Sequence, residues 1–251
     1  MNSTSNDLTG KVALVTGSSR GIGRAVALEF AAAGADVLVH YLSAEAEAEQ
    51  VAVAIRSLGR RTAVVQADVR RAQSVTKLVD TVVSGFGRVD ILVNNAGYAL
   101  VKDFLITTEE EWVDQLDTLA NGYFRFTRAV IPKMVERGGG VILNIASTCG
   151  VRGGAGEVAY AAANGAIVAL TRSLAGELGP KGIRVNALLV AWASNAFDPN
   201  NPAHTAFLPQ FPLRRVTQVA EIAKAAVYLC SGAANAVTGT TLPVDAGYLC
   251  G

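Results

Sequence analysis

The stretch Thr16-Gly17-Ser18-Ser19-Arg20-Gly21-Ile22-Gly23 decides the reading of this chain. Ahead of it, Lys11 to Val15 is a short β-branched apolar run, the mark of a buried strand. Behind it, Ile22 to Ala33 sets Ala, Leu, Val and Phe at helical spacing. A strand, a glycine turn and a helix form the context of a phosphate-binding loop. Gly17 permits the tight turn, Gly21 lets the backbone approach a pyrophosphate, and Gly23 lets helix pack on strand. Ser19, Arg20 and Ile22 complete the loop, and the helix start offers free N–H groups and partial positive charge.

Outward from this unit, strands and helices alternate. Strands are expected at 36–40, 62–66, 89–93, 141–145, 184–189 and 241–244. Helices are expected at 44–58, 72–86, 109–136 with a break near Asn121-Gly122, and 158–178. A last helix contains 226–229, with Thr217 as N-cap and Glu221 in its first turns. Such alternation predicts a doubly wound α/β domain of about seven parallel strands with helices on both faces. One domain spans 1–251, and its polar first six residues are expected to be disordered. The long irregular segment 191–212, carrying four prolines, reads as a lid over a cleft.

The 251 residues carry a net charge of +1 without blocks of like charge, which argues against nucleic-acid or anionic-membrane partners. Three scattered cysteines, two histidines and no apparent leader predict a cytoplasmic protein without a metal site. No run is expected to match the ~18 apolar residues of a membrane span. The apolar share of 51% hints at further burial between subunits.

Several motifs occur together in order: the glycine loop, Asp68-Val69 after the third strand, and Asn94-Asn95-Ala96-Gly97 after the fourth. Ser147 then precedes Tyr160 by thirteen residues, and Gly182-Ile183-Arg184-Val185-Asn186 and Thr238-Gly239…Val244-Asp245 follow. In these the chain from Leu8 to Gly247 resembles the short-chain dehydrogenase/reductase family, in particular its ketoacyl reductase-like members. The resemblance implies a Rossmann-type sheet and a homodimer or homotetramer built through helices 121–136 and 160–179. It also implies that Asp68 accepts from the adenine amine and that the Asn94–Gly97 turn lines the adenosine ribose. NADP(H) is favoured over NAD, because His40-Tyr41 stands where a carboxylate would hold a ribose 2′-OH. Arg20 is available to a 2′-phosphate.

In such proteins a serine, a tyrosine, a lysine and an asparagine share the chemistry. Ser147 and Tyr160 match, but Asn164 stands at the lysine position and Leu119 at the asparagine position. Val190-Ala191 replaces the family's Pro-Gly, and Asn195 its threonine. Without a cation beside it, an ordinary tyrosine is only about a thousandth ionised at pH 7. Arg152 is a candidate to replace the missing charge. Cys149 reads as a packing residue rather than a nucleophile, and His204 is a remote candidate base. The adenosine side is intact while the nicotinamide side is altered. The expectation is therefore a non-redox step (cyclisation, dehydration or isomerisation) on a small hydrophobic carbonyl or enol of secondary metabolism, run by Ser147 and Tyr160. The rivals are an NADPH-dependent carbonyl reductase and a non-catalytic nucleotide- or partner-binding homologue.

Overall fold

The computed structural model describes residues 6–194 and 197–250. Seven strands are β1 (Val12–Val15), β2 (Asp36–Tyr41), β3 (Thr62–Gln66), β4 (Ile91–Asn94), β5 (Gly140–Ser147), β6 (Ile183–Val190) and β7 (Thr241–Val244). They form one parallel sheet in the order β3-β2-β1-β4-β5-β6-β7. Among the described residues nine α-helices cover it. They are α1 (Gly21–Ala32), α2 (Glu45–Ser57), α3 (Ala72–Phe86), α4 (Glu109–Leu116), α5 (Gly122–Glu136), α6 (Cys149–Arg152), α7 (Val158–Leu178), α8 (Pro202–Thr205) and α9 (Val219–Cys230).

Successive residues of each strand feed opposite cores, as the period of two requires. Ala13, Val15, Val37 and Val39 pack with Val26 and Phe30 of α1, Val51 of α2 and Ile222 of α9. Val12, Leu14 and Leu38 pack on the other face with Leu78 of α3 and Phe126 and Met134 of α5. Strand order reverses between β1 and β4, so the loops after these two strands diverge at the carboxyl edge and open the crevice where ligands bind in such sheets.

Three expectations need correction. The N-cap of α9 is Gln218, which closes a capping box with Glu221, because the Thr217 hydroxyl is drawn inward to the Val244 carbonyl at 3.3 Å. The break near Asn121 is a π-helical turn at Asp117–Asn121, which joins α4 to α5 without interrupting the rod. The segment Val158–Lys181 does match a membrane span in length and mean hydropathy, 1.2. It is nevertheless a sheet-covering helix, with Ala159, Ala163, Ile167, Thr171 and Ala175 forming a buried stripe at every fourth position.

A buried polar chain crosses the sheet. Asn94 donates to Thr127 at 3.1 Å and to Asn144 at 2.9 Å, and Asn144 donates to Thr171 at 2.9 Å. Asn144→Leu strips the acceptor from a buried amide and should cost about 1–3 kcal/mol. Urea unfolding should show this as a lower midpoint at unchanged slope.

Candidate active site at the carboxyl edge of the sheet

The glycine loop is built as its spacing demands. Gly17 and Gly21 take left-handed φ of 62° and 58°, which disfavour any side chain. A Cβ on Gly23 would collide with the Gly17 carbonyl and with Asn95 Nδ2, so helix and loop touch there only because the residue is glycine. The loop is fastened to the β4 turn: Thr16 Oγ1 accepts from the Asn95 and Ala96 N–H groups at 2.8 and 3.0 Å. Asn95 Nδ2 donates to the Thr16 and Gly17 carbonyls at 2.9 and 3.1 Å. Arg20, exposed, is the N-cap of α1 but makes no side-chain cap bond, so the first-turn amides face the crevice open to an anion. These residues fit the diphosphate of a dinucleotide.

The sequence reading missed a further member of this loop. His40 was noted only for not being a carboxylate. Its ring is buried, its Nδ1 accepts from the Gly17 N–H at 2.8 Å, and its Nε2 lies 3.1 Å from the Ala67 carbonyl. The neutral Nε2–H tautomer satisfies both bonds. Burial pushes the imidazole down to about 4, against the opposing pull of the Ala67 carbonyl and Asp68. An apolar strand carrying one histidine just before the crevice was the available signal. Tyr41, expected at the ribose, instead packs its ring into the core with Val39 and Ala48.

Asp68 sits on the turn after β3, and Arg70 grips it through Nε and Nη2 at 3.0 Å each. These bonds hold its carboxyl below the usual range. Val69 is buried beneath, and Gly122 at the start of α5 lies close against it. Asn94 is the last residue of β4 and Ala96 and Gly97 follow it, with Leu119 tucked over Gly97 so closely that a Cβ there would collide with it.

On the other side of the crevice, Ser147 ends β5 and Tyr160 stands in the first turn of α7. Burial first, then Cys149, pushes the Tyr160 phenol up to about 12, although the Ser147 and Asn164 side chains pull the other way. Asn164 is buried. Its Oδ1 accepts from the Ser147 N–H at 2.8 Å and its Nδ2 donates to the Tyr160 carbonyl at 2.9 Å. The amide thus rivets the serine strand to the tyrosine helix. Leu119 is buried with Tyr123, Ala146 and Ala163. Asn121, the nearest amide to it, turns outward and donates to Asp117 at 3.0 Å.

The remaining candidates are placed elsewhere. The Arg152 guanidinium lies 4.5 Å over the Tyr248 ring, stacked on the C-terminal segment. Cys149 is buried, and burial pushes its thiol up to about 11, which suits packing rather than attack. His204 is held in an aromatic cluster, 5.4 Å from Trp192 and 5.8 Å from Phe197, with Nδ1 accepting from the Asp198 N–H at 3.1 Å. Val190 is the buried end of β6 and Ala191 follows it half-buried, while Asn195 lies outside the described residues.

A family model described as enoyl-(acyl carrier protein) reductase matches residues 17–249, nearly the whole chain. The chain belongs to the short-chain dehydrogenase/reductase family. The 3-oxoacyl-[acyl-carrier-protein] reductase of Staphylococcus epidermidis is 38% identical over 94% of this chain and 98% of its own. The enzyme of the same name from Pseudomonas aeruginosa is 39% identical over 96% and 98%. Among solved structures, a 7α-hydroxysteroid dehydrogenase complexed with NADH and 7-oxo glycochenodeoxycholic acid matches with a TM-score of 0.91. It is 34% identical over 98% of this chain and 97% of that one. These relatives overturn the expected non-redox cyclase, dehydratase or isomerase. That reading inferred a change of reaction from a few altered positions on the nicotinamide side, whereas 94–96% of the chain follows reductases at 37–39% identity.

His40 generates a pH dependence. Its folded value lies below the unfolded one, so its neutral form favours the fold fully above about 6.5. That contribution, roughly 3 kcal/mol at most, is lost as pH falls from 6.5 through about 4. Thermal midpoints should drop across this window, and His40→Gln should flatten the slope.

Proposed function

We propose that this family member is an NADP(H)-dependent carbonyl reductase whose tyrosine acts as a fully protonated acid, with no lysine beside it. Tyr160 carries the reading. With its phenol near 12, it is neutral across the working range, and it stands with Ser147 beside an intact dinucleotide loop. NADPH, when bound, supplies hydride to the substrate carbonyl carbon. The Ser147 hydroxyl and the Tyr160 O–H meet the carbonyl oxygen, and Tyr160 gives up its proton as charge develops there. Reduction begins from the neutral phenol and needs no cation. Alcohol oxidation needs the phenolate, and this site disfavours it.

Within this reading, Asn164 and Leu119 make an altered tetrad in which Asn164 positions Ser147 and Tyr160 instead of contacting the cofactor. NADP(H) is favoured over NADH by Arg20 at the loop and by the absence of a carboxylate in His40-Tyr41-Leu42. The names of the relatives make 3-oxoacyl thioesters the first substrates to try. The 191–212 segment serves as the substrate lid, with Trp192, Phe197, His204 and Phe207 giving it a rigid aromatic centre. A homodimer or homotetramer is supported by the small exposed face of α7 (Ala162, Ala166, Ala169, Ser173), which lets a second helix approach closely.

The test is NADPH oxidation with 3-oxoacyl thioesters and simple ketones. Turnover is expected, and Tyr160→Phe should lower it about a hundredfold or more. The reductive rate should stay flat from pH 6 to 9, whereas the reverse oxidation should climb roughly tenfold per pH unit below the Tyr160 value. Failure to turn over any ketone would contradict the reading.

A further inference from the structure

We infer that the Glu157 carboxylate selects the substrate of this site, and that the ketone it takes carries a protonated amine. The inference rests on the reductase reading above and narrows its substrate class. Glu157 lies three residues before Tyr160, about one helical turn, so the two side chains are neighbours at the start of α7. Its carboxylate is turned back against Gly154, in space that a side chain there would contest. The charge raises both the Cys149 thiol and the Tyr160 phenol, so it acts where the substrate carbonyl is to be reduced.

Among the described residues, no donor meets Glu157 Oε1 or Oε2. Glu157 is the N-cap residue of α7, yet its side chain makes no capping bond to the first-turn amides. The basic side chains of the neighbouring segments are engaged elsewhere. Lys102, whose N–H donates to the Gly156 carbonyl at 2.7 Å, gives its ammonium to Glu111 at 2.7 and 2.8 Å. The Arg152 guanidinium lies over the Tyr248 ring. Burial therefore raises the Glu157 carboxyl with no hydrogen bond to oppose it.

A half-buried carboxylate without a donor carries a desolvation cost that a ligand can relieve. The reacting end of the site is also short of positive charge, since Asn164 stands at the lysine position. A protonated amine on the substrate meets both needs. It makes a charge-assisted bond to Glu157, and it brings a cation beside Tyr160 that favours release of the phenol proton. An anionic substrate is repelled by the same carboxylate, and a neutral one gains no ion pair from it. Hydride goes to the carbonyl carbon and the Tyr160 proton to its oxygen, while the ammonium keeps its protons.

Two ketones of matched shape test this by NADPH oxidation at neutral pH: 1-methylpiperidin-4-one, which is mostly protonated there, and 4-methylcyclohexanone, which is neutral. The kcat/KM for the amine is expected to exceed that for its carbon analogue by about tenfold or more. Glu157→Gln keeps the size of the side chain and removes its charge, and should bring the ratio close to one. A merely structural role would move both ketones alike and leave the ratio where it was. A ratio near one in the unaltered protein, or an unchanged ratio in Glu157→Gln, would overturn the inference. So would turnover of 3-oxoacyl thioesters with neither cyclic ketone accepted, and each of these results leaves the reductase reading standing. No NADPH oxidation with any ketone or thioester removes that reading and this inference with it.

Discussion

The hydrogen bond from the Gly17 N–H to the buried His40 ring is the contact on which the dinucleotide edge depends. Gly17 must sit at positive φ, and a turn so placed needs an anchor that does not use up the first-turn amides of α1. One neutral imidazole provides it, joining the end of β1 to the end of β3 through the Ala67 carbonyl. Asn95 and Thr16 tie the same loop to β4. The crevice is thus fixed on three sides by bonds that leave its anion-facing groups unspent.

The opposite half of the site is arranged by a different economy. Asn164 is buried and uses both ends of its amide on Ser147 and Tyr160. Leu119 fills the space against Gly97. Neither residue brings charge to Tyr160, whose burial then holds its proton firmly. A phenol in that state is suited to giving a proton to a carbonyl oxygen and poorly suited to taking one from an alcohol. In the proposed reductase, the direction of the chemistry follows from this imbalance.

Local signals carried the fold. The glycine spacing around Gly17 and the two-fold alternation of β1 and β2 are properties of a few consecutive residues, and both appear in the structure as expected. Contacts between distant segments were not legible in this way. His40 meets Gly17 only because β2 lies beside β1, and Arg70 meets Asp114 only because α4 folds over the β3 turn. The identity of Asn164 was plain in the sequence, but the direction of its side chain was not. Reading its lost charge as a lost redox reaction was the resulting error. Thr217 failed as an N-cap for the same reason, since a tertiary acceptor at Val244 outcompeted the local one.

The central claim is that the site, with its altered nicotinamide half, still closes on a reduced dinucleotide and that its adenosine half favours the 2′-phosphate. Parallel calorimetric titrations with NADPH and NADH test it most directly. The account predicts micromolar binding of NADPH and distinctly weaker binding of NADH. No binding of NADPH at millimolar concentration would contradict it, and would make the glycine loop a scaffold without a cofactor.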